Sequence, residues 1–309
     1  MRFSVYQESQ IGGRKMNQDR MGYSFTRDAL LLLLADGMGG HLHGEVAATI
    51  AMQTVASLFQ QQATPYIKKP EQFLEDSFFA AHREIHRHRT LHDLSETPRT
   101  TVVACLIQHN TAFWAHCGDS RLYWMRNGQI LARTRDHSRI ETLIAQGRAD
   151  PSERATHPDR NKLFNCLGAP SMPIVEISRR ASLQAGDVML LCSDGLWGAL
   201  PDHLLAQQLQ NSTIVRAVPE LISTALGISG KTSDNVTALA MMWESGSSVA
   251  DPNTITTNIL PLGALTTTIQ SPLSAEPDLA ASFDESDIEK AIEEIRGAIE
   301  KSSRLTSRN

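Results

Sequence analysis

Residues 30–45 read LLLLLADGMGGHLHGE, a run of leucines and one alanine leading into Asp36, with Gly37, Gly39 and Gly40 close behind. A short apolar run closed by glycines reads as a buried strand that delivers its last residue to the rim of a sheet. Asp36 is then a carboxylate on a rigid element, and the glycines let the backbone approach whatever it holds. From Gly44 and Glu45 the chain enters AATIAMQTVASLF, whose apolar spacing is helical. An Asp-Gly pair after a strand is also ordinary turn chemistry, so this stretch alone leaves both readings open.

Repetition tips the balance. Residues 112–121 (AFWAHCGDSR) and 187–195 (DVMLLCSDG) are apolar runs ending near Asp119 and Asp194, and residues 234–243 (DNVTALAMMW) start at Asp234 and run into an apolar strand. Aspartates at strand edges, without matching Cys or His ligands, suit hard divalent cations such as Mg²⁺ or Mn²⁺ rather than zinc.

Six segments, in order, resemble the PPM (PP2C-type) family of metal-dependent protein serine/threonine phosphatases in its bacterial form. They are Arg14-Lys15-Met16-Asn17-Gln18-Asp19, Asp36-Gly37-Met38-Gly39-Gly40-His41, Gly118-Asp119-Ser120-Arg121, Asp136-His137-Ser138, Ser193-Asp194-Gly195 and Ser233-Asp234-Asn235-Val236-Thr237. The resemblance covers roughly residues 3–243. It implies an α+β fold, a four-layer sandwich of two antiparallel sheets packed together with helices on both outer faces. It also implies two Mn²⁺ or Mg²⁺ ions, with Asp36 as bridging ligand and Gly37 as a backbone-carbonyl ligand. Asp194 and Asp234 complete the first ion's shell, Asp19 acts largely through water at the second, and Asp119 serves a more weakly held third ion shared with Asp194. Arg14 binds the substrate phosphate, as a guanidinium fork is suited to do.

Two divalent ions bridged by a carboxylate can position a water, lower its pKa and neutralise phosphoryl oxygens during in-line displacement. The departing alkoxide needs a proton. Relatives that place a His two positions after the bridging Asp differ from this chain, which has Met38; His41 and metal-bound water are the two candidates. Another departure is Arg99 before Thr100-Thr101, where relatives have Gly. The implied activity is hydrolysis of phosphoserine and phosphothreonine in phosphorylated protein substrates, opposing a bacterial Ser/Thr kinase. The alternatives are a catalytically weak phosphoprotein-binding scaffold and a metal-dependent phosphodiesterase.

Composition narrows the field. A chain of 309 residues with 41% apolar residues suits one large domain plus an extension, and a formal charge of -5 gives no basic stripe for nucleic acid. No apolar run reaches the roughly 18–20 residues of a membrane span, and the N-terminus reads as a strand, so the expected location is cytoplasmic. Cys105, Cys117, Cys166 and Cys192 are isolated and read as small buried hydrophobes.

Strands over 100–107, 111–117 and 121–125 joined by short turns imply antiparallel pairing and argue against a doubly wound nucleotide fold. Helical patterns lie at about 43–62, 71–92, 136–146, 201–210 and 213–228, the last with Pro219, expected to bend or divide it. His82 and His86 share a helix face, but the surrounding arginines favour a solvated basic helix end over a metal site. Trp197 reads as packing. Residues of about 147–172 form a long irregular segment, which the resemblance identifies as the flap beside the site. The domain thus spans 1–245, a Ser/Thr/Pro-rich linker 246–283, and an amphipathic helix 284–303 with a stripe of Ile288, Ile292, Ile295 and Ile299. That helix is expected to dock on its own domain, bind a partner or self-associate, with a partly disordered tail as the alternative.

Overall fold

The computed structural model describes residues 1–38, 43–155, 157–159 and 162–244, and the backbone of 266–267. The helix expected at 284–303 and most of the linker lie outside the described residues, as does His41.

The leucine run is β3 (Ala29–Asp36), and every residue of it except Asp36 is fully buried. Successive strand side chains face opposite ways. Leu30, Leu32 and Leu34 enter one apolar core, Leu31, Leu33 and Ala35 another. A strand sandwiched on both faces reads as a continuous apolar run rather than an alternating one.

β3 is central in a sheet that orders a two-residue strand β12 (Thr266–Thr267), β2 (Asp19–Phe25), β3, β4 (Val102–Gln108), β5 (Thr111–Cys117) and β8 (Glu176–Ile177), with β9 (Ala181–Ser182) also on β5. The second sheet orders β1 (Phe3–Gln10), β11 (Val236–Trp243), β10 (Val188–Cys192), β6 (Arg121–Arg126) and β7 (Gln129–Arg133). All pairings are antiparallel. One core lies between the sheets, with Leu32, Cys105, Met189 and Leu239 among its members. The outer face of the first sheet is covered by α1 (Gly44–Gln62) and α2 (Pro70–Leu91), that of the second by α5 (Asp202–Asn211) and α6 (Ile214–Ser229). Two shorter helices, α3 (Arg139–Ala145) and α4 (Asp194–Trp197), lie near the strand ends. This is the expected four-layer sandwich. All four cysteines are buried.

Some details differ from expectation. Pro219 lies inside α6 without dividing it. The carbonyl it leaves without its helical partner is that of Val215, an exposed residue whose backbone water can reach, while Ala217, Val218, Leu221 and Ile222 keep the helix on the sheet. β11 sits inside its sheet, between β1 and β10. His82 and His86 do not form a solvated helix end: His82 Nδ1 accepts the Gly168 N–H at 3.2 Å and His86 Nε2 donates to the Ala169 carbonyl at 2.9 Å. They hold the end of the flap segment onto α2. Within the linker region, residues 266–267 add to the edge of β2.

Candidate functional site

β2 and β3 pair so that Asp19 stands opposite Asp36, placing two carboxylates side by side at the end of the sheet. The chain leaves Asp36 through Gly37, where a Cβ would lie 2.4 Å from the Gly44 carbonyl group at the start of α1. Only glycine permits that approach. Thr100 and Thr101, just before β4, support it: the Thr101 N–H and Thr100 hydroxyl both donate to the Asp36 carbonyl at 2.8 Å. Arg99, in place of the family's glycine, takes the Met38 N–H on its carbonyl at 3.0 Å, so the departure leaves the Thr-Thr support in place.

The other sheet delivers Asp194, the first residue of α4, and Asp234, just before β11. Gly195 follows Asp194 where a Cβ would be 2.1 Å from the Asn235 carbonyl oxygen. Gly195→Ala is therefore expected to push the Asp194 and Asp234 segments apart. A Mn²⁺ titration should show binding weakened by about tenfold or more, as for lost supporting contacts around a metal. Asn235 has a role here that its place in the motif does not announce. Its side chain accepts the Gln18 N–H at 2.8 Å and donates to the carbonyls of Ile11 at 2.9 Å and Met16 at 3.1 Å. It thus ties down the loop that carries Arg14 and leads to Asp19.

Asp119 completes the cluster from the turn between β5 and β6. Beneath it is a layer that sequence reading missed in part. Arg121 and Asp136 form a buried two-bond ion pair at 2.8 and 2.7 Å, and the Arg121 guanidinium lies 3.6 Å from the centre of the Trp197 ring. The Trp197 indole N–H donates to the Asp119 carbonyl at 2.9 Å. Trp197 is packing, as expected, and also a prop for the Asp119 turn.

The five aspartates feel one another. Burial, then Asp19, Asp194, Asp119 and Asp234, push the Asp36 carboxyl well above its ordinary range. Burial and the neighbouring carboxylates do the same to Asp194, and Asp19 is raised chiefly by burial. Asp119 is raised to about 7, by burial and then by Asp136. Both carboxylate oxygens of Asp19 are buried and accept no hydrogen bond of ordinary geometry among the described residues, although the hydroxyls of Thr237 and Ser193 lie close enough to favour its charged form. Buried carboxylates are normally paired or bonded. Oxygen donors at this density, with two left over, fit hard divalent cations.

Arg14 stands at the rim, its Nε and Nη2 donating to the two Asp234 oxygens at 2.8 and 2.6 Å. A cavity of about 340 Å³ opens beside it, lined by Arg14, Asp194, Gly195, Trp197, Asp234 and the flap residue Arg154. Arg154 pairs with the buried Glu141 of α3. The structure therefore brings together Arg14, Asp19, Asp36, Gly37, Asp119, Asp194 and Asp234.

A second group, His116, His137 and Glu176, also holds possible donor atoms within 4.8 Å of one another. It does not fit a cation. Gly118 donates its N–H to His137 Nδ1 at 3.2 Å, and the Asn165 amide meets the same atom at 2.6 Å. The ring proton is thereby placed on Nε2, the atom that would have to ligate. Burial and the His116 ring lower the His137 pKa to about 4, so it stays neutral.

A family model described as Protein phosphatase 2C matches residues 7–225. Serine/threonine protein phosphatase PstP of Mycobacterium tuberculosis is 33% identical over 226 residues, which are 73% of this chain and 42% of that protein. The chain thus matches less than half the length of that relative. Serine/threonine phosphatase stp of Listeria monocytogenes is 28% identical over 233 residues, 73% of this chain and 90% of that one. A solved structure of the PstP catalytic domain in complex with two manganese ions superposes with a TM-score of 0.67 at 30% identity, over 79% of this chain and 99% of that one. Among the described residues no helix is long and apolar enough to cross a membrane.

Proposed function

Because the chain belongs to the protein phosphatase 2C family, we propose that it is a metal-dependent protein serine/threonine phosphatase that removes phosphate from phosphoserine and phosphothreonine. The observation that carries this reading is Asp19, buried with neither oxygen in a hydrogen bond of ordinary geometry among the described residues, beside carboxylates drawn from both sheets. Manganese in the related PstP domain supports Mn²⁺ or Mg²⁺ as the ions held here. Asp36, Gly37, Asp194 and Asp234 would hold one ion, Asp36 and, largely through water, Asp19 a second, and Asp119 with Asp194 a third. Bound there, such ions activate a water and neutralise phosphoryl charge.

The protein's own groups do the rest. Arg14 commits two guanidinium nitrogens to Asp234 and keeps Nη1 free of the fork. That leaves N–H donors to grip a phosphoryl group at the rim. The buried Arg121–Asp136 pair and the half-buried Trp197 keep the Asp119 turn in place while substrate enters from the cavity beside Arg14. His41 or water supplies the proton to the departing alkoxide. The flap at about 147–172 selects the phosphopeptide, the opposing enzyme is a bacterial Ser/Thr kinase, and the site of action is the cytoplasm. The C-terminal segment at 284–303, whose sequence reads as an amphipathic helix, binds a partner or a second copy.

Phosphate release from a phosphothreonine peptide, with and without Mn²⁺ or Mg²⁺, tests the reading. Activity should require metal. Arg14→Ala should lower kcat/KM by roughly 10–100-fold, the worth of a charge-assisted hydrogen bond to phosphate. A wild type that binds Mn²⁺ but frees no phosphate from phosphopeptides or an aryl phosphate would overturn the enzyme and leave the phosphoprotein-binding scaffold.

A further inference from the structure

His137 sits where the turn carrying Asp119 meets the far part of the flap. Its backbone N–H donates to the Gly118 carbonyl at 2.9 Å, and the Gly118 N–H donates back to His137 Nδ1 at 3.2 Å. Gly118 is gripped from both sides. Its φ is +113°, and a Cβ there would lie 2.5 Å from the Thr101 Cβ, so the turn has little other room. Asp119 is the next residue along.

The same ring nitrogen faces the flap. Asn165 is oriented by two backbone partners: its Nδ2 donates to the Ile174 carbonyl at 2.7 Å and its Oδ1 accepts the Ile174 N–H at 3.0 Å. The amide N–H₂ therefore faces His137 Nδ1, at 2.6 Å. Phe164 adds a backbone bond, its N–H donating to the His137 carbonyl at 3.0 Å. One acceptor atom thus joins the Asp119 turn to the flap segment. On the opposite side of the ring, Nε2 meets the exposed Glu176 at 3.4 Å and no other polar partner among the described residues.

We propose that His137 is a positioning residue: its Nδ1 fixes the Gly118–Asp119 turn and, through Asn165, ties that turn to the flap. The cation held by Asp119 and the fit of a phosphopeptide against the flap then depend on one acceptor. The substrate half of this inference rests on the phosphatase reading, whereas the metal half does not.

The test uses the full chain, stripped of metal and titrated with Mn²⁺ by calorimetry, alongside thermal melts. His137→Leu removes the acceptor, His137→Asn keeps one near the place of Nδ1, and His137→Gln carries its amide out toward Nε2. The weakest Mn²⁺ site should weaken by about tenfold or more in His137→Leu and His137→Gln, but by no more than about threefold in His137→Asn. Tighter sites and the Glu176→Gln control should not change. Asn165→Ala should raise KM for a phosphothreonine peptide by about tenfold with kcat held within about twofold, and leave KM for an aryl phosphate unmoved.

Equal weakening by His137→Asn and His137→Gln would reduce His137 to packing and overturn the proposal. So would an unchanged weakest site in every folded variant, or an unmoved peptide KM in Asn165→Ala. If His137→Leu does not fold, the Asn and Gln variants decide. A wild type that binds Mn²⁺ without releasing phosphate sinks the phosphatase reading and leaves the calorimetric comparison intact.

Discussion

Asp36→Asn is expected to abolish phosphate release, by at least about 10³-fold, and at the same time to raise the melting temperature of the metal-free protein. The two effects have one source. Asp36 is held near four other aspartates, whose charges oppose its ionisation together with burial. Without a cation that repulsion is a cost of folding, and a neutral amide of the same shape removes it. The gain should be on the order of 1–2 kcal/mol, the usual scale of a stabilising single substitution, or roughly 2–8 °C for a domain of this size.

The pH dependence follows with a definite sign. A carboxyl raised in the folded state binds its proton more tightly there than in the unfolded chain. Its favourable contribution is complete below the ordinary value of 3.8 and is lost as pH rises through the folded value, about 7 for Asp119. The advantage of Asp36→Asn should thus be absent at pH 4 and grow toward neutrality. His82 and His137, both lowered to about 4, slope the other way between there and 6.5. Their contributions are common to both proteins and cancel in the difference between variant and wild type. Adding Mn²⁺ should reverse the order, because only the wild type keeps the full ligand set. Melts of EDTA-treated protein at several pH values check this; a variant less stable than wild type at pH 7.5 without metal would contradict it.

Asp136→Ala should be among the most destabilising substitutions in the domain although it touches no proposed cation. Arg121 and Asp136 are 3% and 2% exposed, and removing the carboxylate strands a guanidinium with Tyr123, Trp197 and the more distant Asp202. Breaking a buried pair by removing one partner costs about 3–5 kcal/mol, whereas replacing both by apolar groups is often close to neutral. The double variant Arg121→Met/Asp136→Leu should therefore recover most of the stability lost by the single one. Mn²⁺ affinity should not recover with it, because Trp197, whose indole holds the Asp119 carbonyl, has lost the cation against its ring. Thermal melts and Mn²⁺ titrations of the single and double variants separate the two effects. Losses that simply add would show that the pair is not coupled.

Much of the architecture was legible in the sequence because it depends on local pattern. The leucine run of β3, the short turns between β4, β5 and β6, and the helical spacing after Gly44 each report which faces are apolar. The aspartates were legible for a related reason: each stands at a strand edge or turn, where a carboxylate reaches the rim. Arg14 and Asp19 came from the resemblance more than from their surroundings. What stayed hidden involves contacts between distant segments. Asn235 binding the loop of Ile11 and Met16, His82 and His86 holding Gly168 and Ala169, and Trp197 reaching Asp119 leave no periodic mark, since each depends on how strands pair. Pro219 does not divide α6, because propensity reports the lost hydrogen bond and not the apolar face that keeps the helix on the sheet.

By itself, then, the sequence determined the elements, their apolar faces and the set of carboxylates available to bind cations. Only the tertiary structure decided that Asp19 meets Asp36 across one ladder, that Asp194 and Asp234 arrive from the other sheet, and that Arg121, Asp136 and His137 support the turn of Asp119. The physical reason is the range of the forces. Hydrophobic periodicity is set within a few residues, while charge repulsion, buried ion pairs and shared hydrogen-bond acceptors act only once antiparallel pairing has brought remote segments within a few ångströms.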